Sequence, residues 1–150
     1  MAAKDAHLML TNTNEFFEIL DYEFHRAARY KNDLTLLFIK LSNLSEIAKN
    51  YGQLAATRVF SKIERLIRDN IRASDREFIY GNDELMIILP QTPKEGAHSM
   101  VPKLKHLIGR CFLTEGKESR VTITPKFGIA SYPHDALTKD GVVKMVDKVL

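Results

Sequence analysis

Apolar residues recur at helical spacing in the first part of the chain. Between Asn12 and Lys31 they fall every three or four positions, which predicts an amphipathic helix with a face made of Phe16, Ile19, Leu20, Phe24, Ala27 and Ala28. Asn12 is followed three residues later by Glu15, a capping-box pattern, so we expect the helix to begin at Asn12. The pair Asn32-Asp33 ends the pattern.

The spacing then changes to that of a buried strand. The run from Leu34 to Ile39 is almost continuously apolar, which is typical of a central strand that is covered on both faces. A short helix is predicted from Leu44 to Asn50, and Gly52 breaks it. A longer helix is predicted to reach about Ile71, with a buried face that consists of Val59, Ile63, Leu66 and Ile67.

Two short apolar segments next flank an acidic turn. Phe78-Ile79-Tyr80 precedes the turn and Leu85 to Leu89 follows it, so the segments predict a β-hairpin. We expect Gly81-Asn82 to form its two-residue loop, because both residues tolerate positive φ angles. The adjacent carboxylates of Asp83 and Glu84 repel each other unless a metal ion, a nucleotide-bound cation or a lysine lies beside them.

The remaining third of the chain predicts a helix, two strands and a last helix. The first helix runs from about Pro93 to Arg110, and Pro102 inside it is expected to kink or interrupt it because proline lacks the backbone N–H. Val121 to Thr124 is a predicted strand, and Phe127 to Tyr132 is expected to continue it or pair with it. The last helix begins at about Thr138.

This order of elements predicts an α+β fold in which helices pack on a mainly antiparallel sheet. The chain contains no internal repeat, low-complexity tract or linker, so we expect residues 1–150 to form a single domain, either complete or part of a longer protein.

Composition narrows the classes of function. The formal charge is +3, and acidic and basic residues are interspersed, which argues against nucleic-acid binding. One cysteine excludes an internal disulfide, and the histidines lack metal-ligand spacing, so we expect no metal and no cofactor. No segment approaches the roughly 18 apolar residues of a membrane span. We therefore expect a cytoplasmic domain without membrane insertion.

The hairpin segment Gly81-Asn82-Asp83-Glu84-Leu85 resembles the signature of the GGDEF family, the diguanylate cyclase domains, with Asn82 replacing the second glycine and Leu85 the phenylalanine. The resemblance covers nearly the whole chain, and further matches are Leu10 to Phe16, Arg26 to Arg29, Tyr51-Gly52, Arg72 to Asp75, Pro90 to Thr92 and Gly128 to Pro133. It implies the palm-like fold of nucleotidyl cyclases, a central, mainly antiparallel sheet flanked by helices.

The resemblance also implies which positions would hold metal. In the family an aspartate ends the first strand and binds the ion, but Lys40 stands there, and magnesium requires oxygen donors. We expect the Lys40 ammonium to take the place of the ion near Asp83, or else to point into solvent. The expected catalytic residues are therefore none, with Gly81, Asn82, Asp83 and Glu84 as degenerate remnants of the motif.

The nucleotide-contacting positions implied by the resemblance are changed as well. The two positions that read guanine in the family are Ala48 and Lys49, and alanine has no group that reads a base edge. A glycine-aspartate pair at the start of the next helix has become Ala56-Thr57. Together with Lys40, these changes predict that the domain is not an enzyme.

Arg72-Ala73-Ser74-Asp75 stands at the spacing of the family's product-binding inhibitory site. The resemblance implies that Arg72 grips a phosphate or the O6/N7 edge of guanine and that Asp75 accepts from guanine N–H groups. A further family arginine corresponds to Lys103, which keeps the charge but loses the bidentate geometry. The expected ligand-binding residues are Arg72, Asp75 and Lys103, and the expected ligand is cyclic di-GMP. An ordinary surface ion pair would account for Arg72 and Asp75 equally well.

Three functional hypotheses follow. The first is a catalytically inactive domain of bacterial cyclic di-GMP signalling that binds cyclic di-GMP through the Arg-x-x-Asp site. The second is a nucleotide-independent module for homodimerisation or for docking a signalling protein. The third retains GTP binding or cyclase activity through Asp83 and Glu84.

Overall fold

The computed structural model describes the backbone of residues 2–115 and 119–149 and the side chains of residues 14–111 and 121–145. Within these ranges the helices and strands are, in chain order, α1 Ala2–Tyr30, β1 Leu34–Leu41, α2 Leu44–Tyr51, α3 Gln53–Arg68, β2 Arg76–Gly81, β3 Glu84–Pro90, α4 Lys94–Gly109, β4 Phe112–Glu115, β5 Ser119–Thr122, β6 Pro125–Tyr132 and α5 Lys139–Val149.

The main sheet has four strands in the order β2-β3-β1-β6, and every neighbouring pair is antiparallel. β1 is central: Leu34 lies opposite both Pro90 of β3 and Tyr132 of β6. Six of its residues, 34–39, are fully buried, as a strand covered on both faces requires. The α+β fold with an antiparallel sheet flanked by helices is therefore confirmed.

The sheet separates two apolar cores, because successive side chains of a strand point to opposite faces. Leu37 and Ile39 of β1 pack with α2, α3 and α4, whereas Leu36 and Phe38 pack with α1 and α5. On the second side, Phe16 of α1 makes edge contacts with two rings of β2, with centroids 5.5 Å from Phe78 and 5.6 Å from Tyr80. This contact fixes α1 over the edge strand.

The helix ends differ from the expected ones. α1 begins before Asn12, at Ala2, because the preceding segment is rich in good helix formers and continues the helix. The capping box is therefore wrong. α3 ends at Arg68 rather than Ile71, and Asn70 Nδ2 donates to the Leu66 carbonyl oxygen at 2.7 Å, satisfying a terminal acceptor. α4 continues through Pro102 without interruption, and that proline is exposed.

The strands after α4 also differ. β6 does not pair with β5; it pairs with β1, and β5 forms a separate two-stranded ribbon with β4, a strand that the pattern did not predict. Asn43 holds the junction, since its Nδ2 donates to the Thr122 carbonyl at 2.7 Å and its Oδ1 accepts from Thr124 N–H at 2.9 Å. These bonds end β5 at Thr122 instead of Thr124. No helix in the described ranges has the length and apolarity to span a membrane.

Candidate functional site

The acidic hairpin lies at one end of the sheet. Gly81 pairs with Glu84, so the two-residue loop consists of Asn82 and Asp83, and the expected loop Gly81-Asn82 is wrong by one residue. Positive φ angles within the described backbone occur at Lys31, Gln91 and Gly52, none of them in this loop. The register shifts between Ile79 and Gly81, and this irregularity supplies the local twist that a positive φ was expected to supply.

Gly81 provides space rather than an unusual backbone angle. A Cβ atom at this position would lie 3.0 Å from Glu84 Oε2 and 3.3 Å from its Cδ. The missing side chain therefore lets the Glu84 carboxylate lie across the base of the turn.

Lys40 lies in a cross-strand row at the same end of the sheet. The register places it directly opposite Glu84 of β3 and directly opposite Lys126 of β6. Residues directly opposite on antiparallel strands share a face, with Cβ atoms about 4.5–5.5 Å apart. Asp83 instead meets β1 through its backbone, as its carbonyl oxygen accepts from Leu41 N–H at 2.8 Å. The ion pairs among the described side chains include none between Lys40 and Asp83.

The other positions implied to contact nucleotide lie on α2 and at the beginning of α3. Ala48 packs partly buried against the core and Ala56 is 2% exposed, while Lys49 and Thr57 are exposed. Among the side chains that the structure describes, no three His, Cys, Asp or Glu residues are placed so that they could hold a metal ion. The cross-strand row at the hairpin end thus contains one negative side chain, Glu84, and two positive ones, Lys40 and Lys126.

Arg72 and Asp75 lie at the opposite end of β2 and form a bidentate pair. Arg72 Nη2 donates to Asp75 Oδ1 at 3.0 Å, Arg72 Nε donates to Oδ2 at 3.3 Å, and the Arg72 backbone N–H donates to Oδ2 at 2.9 Å. The Asp75 side chain is 1% exposed, whereas that of Arg72 is 55% exposed. The carboxylate is thus fully engaged inside the protein, and the guanidinium remains accessible.

The same guanidinium is tied to the segment after β3. Arg72 Nη2 also donates to the Pro90 carbonyl at 2.8 Å and to the Thr92 hydroxyl oxygen. Behind this segment the buried Thr35 hydroxyl donates to the Thr92 carbonyl at 2.6 Å and lies 2.8 Å from the Ser131 hydroxyl oxygen. Buried hydroxyl groups of β1 and β6 therefore hold the segment to which Arg72 is bonded.

A cleft of about 270 Å³ opens beside this pair, and its lining consists of Arg68, Ile71, Arg72, Ala73, Asp75, Arg76 and Glu77. Three arginines thus border one concave surface. Lys103 is exposed on α4 and is absent from this lining, so the structure brings Arg72 and Asp75 together without Lys103.

Sequence reasoning missed Arg68, Arg76 and Glu77. Glu77 lies two residues before Ile79 and therefore on the same face of β2, the face that is turned toward α3. This alternation of side chains along a strand could have indicated from the sequence that Glu77 points inward. That side chain is 4% exposed; its Oε1 lies 3.8 Å from Arg68 Nε, and its Oε2 has no hydrogen-bond partner in the described structure.

Burial, and to a smaller extent the nearby Glu64 carboxylate, raise the pKa of Glu77 to about 8, although Arg68 opposes both effects. At neutral pH the Glu77 carboxyl is therefore mainly protonated. The lining also contains Asp75, which pairs with Arg72, while Arg68 and Arg76 pair with Glu64 and Glu15.

Comparison with known proteins places the chain in a family. The model of the diguanylate cyclase GGDEF domain matches residues 2–150. Diguanylate cyclase A of Treponema denticola is 25% identical over 154 residues, which cover 100% of this chain and 41% of that protein. The chain thus spans less than half the length of this relative.

Solved structures agree in fold. The GGDEF domain of YfiN (TpbB) from Pseudomonas aeruginosa superposes with a TM-score of 0.80 at 26% identity, covering 89% of this chain and 84% of that one. The GGDEF domain of DgcB from Caulobacter crescentus, solved in complex with c-di-GMP, gives a TM-score of 0.81 at 15% identity, covering 91% and 78%. The chain belongs to the GGDEF family of diguanylate cyclase domains.

Proposed function

We propose that this chain is a catalytically inactive GGDEF domain of bacterial cyclic di-GMP signalling that binds cyclic di-GMP at Arg72. The observation that carries the proposal is the state of the Arg72 guanidinium, which is fixed on one side by Asp75 and half exposed beside the cleft. Its Nη1 atom makes no hydrogen bond to the described residues, so its donors are available. Phosphate oxygens and the O6/N7 edge of guanine are matching acceptors.

Asp75 and Lys103 have supporting parts in this proposal. Both Asp75 oxygens already accept hydrogen bonds from Arg72, so Asp75 acts by orienting the guanidinium rather than by reading a base. Lys103 is exposed on α4 and adds positive charge at longer range.

The absence of catalysis is supported by the hairpin end. Phosphoryl transfer depends on metal ions and on precise positioning of the phosphates. Here Lys40 is the penultimate residue of the central strand, and Ala48 and Ala56 belong to the packing of the core. A cyclase assay with GTP and Mg²⁺ tests this part: accumulation of cyclic di-GMP above a no-protein control contradicts it.

Calorimetric titration with cyclic di-GMP tests the binding proposal directly. We expect micromolar affinity for the wild-type domain and at least about a tenfold loss for Arg72→Ala, because one charged bidentate donor is removed. Arg58→Ala, at an exposed position of α3 outside the cleft, is the matched control and should bind as the wild type does. No binding by the wild type overturns the proposal.

A nucleotide-independent module for homodimerisation or protein docking is the second candidate. α1 favours it, since this 29-residue helix exposes Phe17, which is 40% exposed, and Tyr22, which is 61% exposed. A sedimentation measurement that finds a dimer without nucleotide, lost on Tyr22→Glu and unchanged by cyclic di-GMP, would support this function. Mg²⁺-dependent GTP binding that is lost on Asp83→Asn would instead support residual nucleotide binding at the hairpin.

A further inference from the structure

We propose that Arg72 binds a phosphate oxygen of a cyclic dinucleotide through Nη1 and does not read the base, so that the site does not distinguish guanine from adenine. This inference deepens the proposed function and rests on it for the ligand class and for the binding residue. It goes further by choosing between the two kinds of acceptor that suit a guanidinium group, a phosphate oxygen and the O6/N7 edge of guanine.

A guanidinium group binds a pair of acceptors along one of two edges, and both edges contain Nη2. One edge consists of Nε and Nη2 and the other of Nη1 and Nη2, so Nη2 contributes one of its two hydrogens to each. The first edge of Arg72 is occupied, because Nε and Nη2 donate to the two Asp75 carboxylate oxygens at 3.3 Å and 3.0 Å. A ligand with two acceptors therefore needs the second edge.

The second edge of Arg72 is already half occupied. Nη2 also donates to the Pro90 carbonyl oxygen at 2.8 Å and to the Thr92 hydroxyl oxygen. The two hydrogens of Nη2 thus serve three acceptors, whereas Nη1 makes no hydrogen bond to the described residues. Arg72 is a bidentate donor toward Asp75, but toward a ligand it offers one nitrogen and its positive charge.

The two acceptors beyond Asp75 that hold Nη2 are fixed in the structure. The Thr92 hydroxyl donates to the Pro90 carbonyl at 3.0 Å, and the Thr92 carbonyl accepts from the buried Thr35 hydroxyl at 2.6 Å. Thr92 itself is 8% exposed. Releasing Nη2 to a ligand removes hydrogen bonds from these acceptors, whereas binding an oxygen at Nη1 leaves them intact.

The cleft also lacks an available side-chain acceptor for the N–H groups of guanine among its described residues. Its two carboxyl groups are those of Asp75, whose oxygens both accept from Arg72, and of Glu77, whose side chain is 4% exposed. The other lining side chains are apolar or are arginines, which only donate: Arg68, Ile71, Ala73 and Arg76. Base recognition therefore has neither a complete donor edge nor a free acceptor.

A phosphate oxygen matches what remains. It is anionic, so a hydrogen bond from Nη1 joins two opposite charges and is roughly twice as strong as one between neutral groups. Guanine O6 is neutral and gains less from a single N–H donor. Because every cyclic dinucleotide carries the same phosphodiester groups, this contact is independent of the base.

Calorimetric titration with cyclic di-GMP and with cyclic di-AMP tests the inference. The two ligands share their phosphodiester ring, but adenine presents an amino donor where guanine presents the O6 acceptor. We expect dissociation constants that differ by less than about fivefold, since a bidentate contact with the guanine edge would separate them by more than that. Both should rise at least about tenfold in Arg72→Ala, and neither should change in Arg58→Ala, at an exposed position outside the cleft.

The outcomes separate this inference from the proposed function. A larger preference for cyclic di-GMP that disappears in Arg72→Ala overturns the inference and leaves the proposed function standing. If neither dinucleotide binds, NMR titration with sulfate, an anion without a base, decides: binding that requires Arg72 supports the anion contact and rejects the proposed ligand. Absence of binding by all three probes, or dinucleotide binding unchanged in Arg72→Ala, overturns both.

Discussion

Lys40 lies directly opposite Glu84 in the register between β1 and β3, one position away from the aspartate it was expected to neutralise. The opposite charges share a face of the sheet at the base of the hairpin, whereas Lys126 lies opposite Lys40 on the other side. A basic residue at the end of the central strand is thus compatible with an acidic turn.

Replacing Lys40 by aspartate is expected to create a weak cation site between this position and Glu84. Without Mg²⁺ the free energy of unfolding should fall by about 1 kcal/mol, because two carboxylates then face each other across the strands. Added Mg²⁺ should restore part of the loss, as measured by urea unfolding with and without the ion. Lys49→Asp, at an exposed site on α2, is the control, and an equal Mg²⁺ effect there would contradict the prediction.

Removing the charge of Asp75 should destabilise the domain. Asp75→Asn loses the ionic acceptor of three hydrogen bonds from Arg72, and we expect the free energy of unfolding to fall by about 1–3 kcal/mol. The effect stays below that of a fully buried pair because Arg72 keeps access to water. Urea unfolding measures the free energy of unfolding of Asp75→Asn and of the control Asp69→Asn, at an exposed position. Equal stability of the two variants would disprove the structural importance of the pair.

Glu77 should make stability depend on pH in a definite direction. The folded-state pKa of about 8 lies above the unfolded value near 4.5, so the folded state binds the additional proton between them. The stabilisation is therefore complete below the lower value and is lost as pH rises through the higher one, with a total on the order of 5 kcal/mol.

The difference in unfolding free energy between the wild type and Glu77→Gln isolates this effect. It should shift in favour of the glutamine variant as pH rises from about 5 to about 8, because the variant has no proton to lose. Glu46→Gln on the exposed face of α2 should give a curve parallel to the wild type. A parallel curve for Glu77→Gln as well would rule out an elevated pKa.

The buried Thr35 hydroxyl should contribute measurably to stability. Thr35→Val keeps the shape but leaves the Thr92 carbonyl and the Ser131 hydroxyl without this partner, which should lower the free energy of unfolding by about 1–3 kcal/mol. Thr57→Val on the exposed face of α3 should change it by less than about 0.5 kcal/mol. Similar losses in both variants would contradict the role of the buried hydroxyl.

Hydrophobic periodicity predicted the strand and the helix face that pack into the apolar core. The predicted strand from Leu34 to Ile39 lies within the central strand β1, and the apolar face of α3 is buried at Val59, Ile63 and Ile67. The resemblance carried by the hairpin, the Arg-x-x-Asp motif and the late strand likewise predicted the family, which the match over residues 2–150 confirms.

Other features depend on contacts that local sequence does not specify. The hairpin loop shifted by one residue because a register irregularity near Tyr80 replaced the expected positive φ. The partner of β6 is β1, far away in sequence, and the side chain of Asn43 bonds to the connection between β5 and β6. The interpretation of Arg72 and Asp75 as a surface ion pair was right about the pairing but wrong about Asp75, whose side chain is buried. The loss of cyclase activity stays a prediction.

The length of β2 determines how events at its two ends can influence each other. The strand has six residues and so spans about 20 Å, with the arginine cleft at its beginning and the acidic hairpin at its end. A small molecule in the cleft therefore leaves the hairpin sterically open. If a ligand at one end of β2 weakened binding at the other end, the cause would be a displacement of the strand and not a steric overlap of the two ligands.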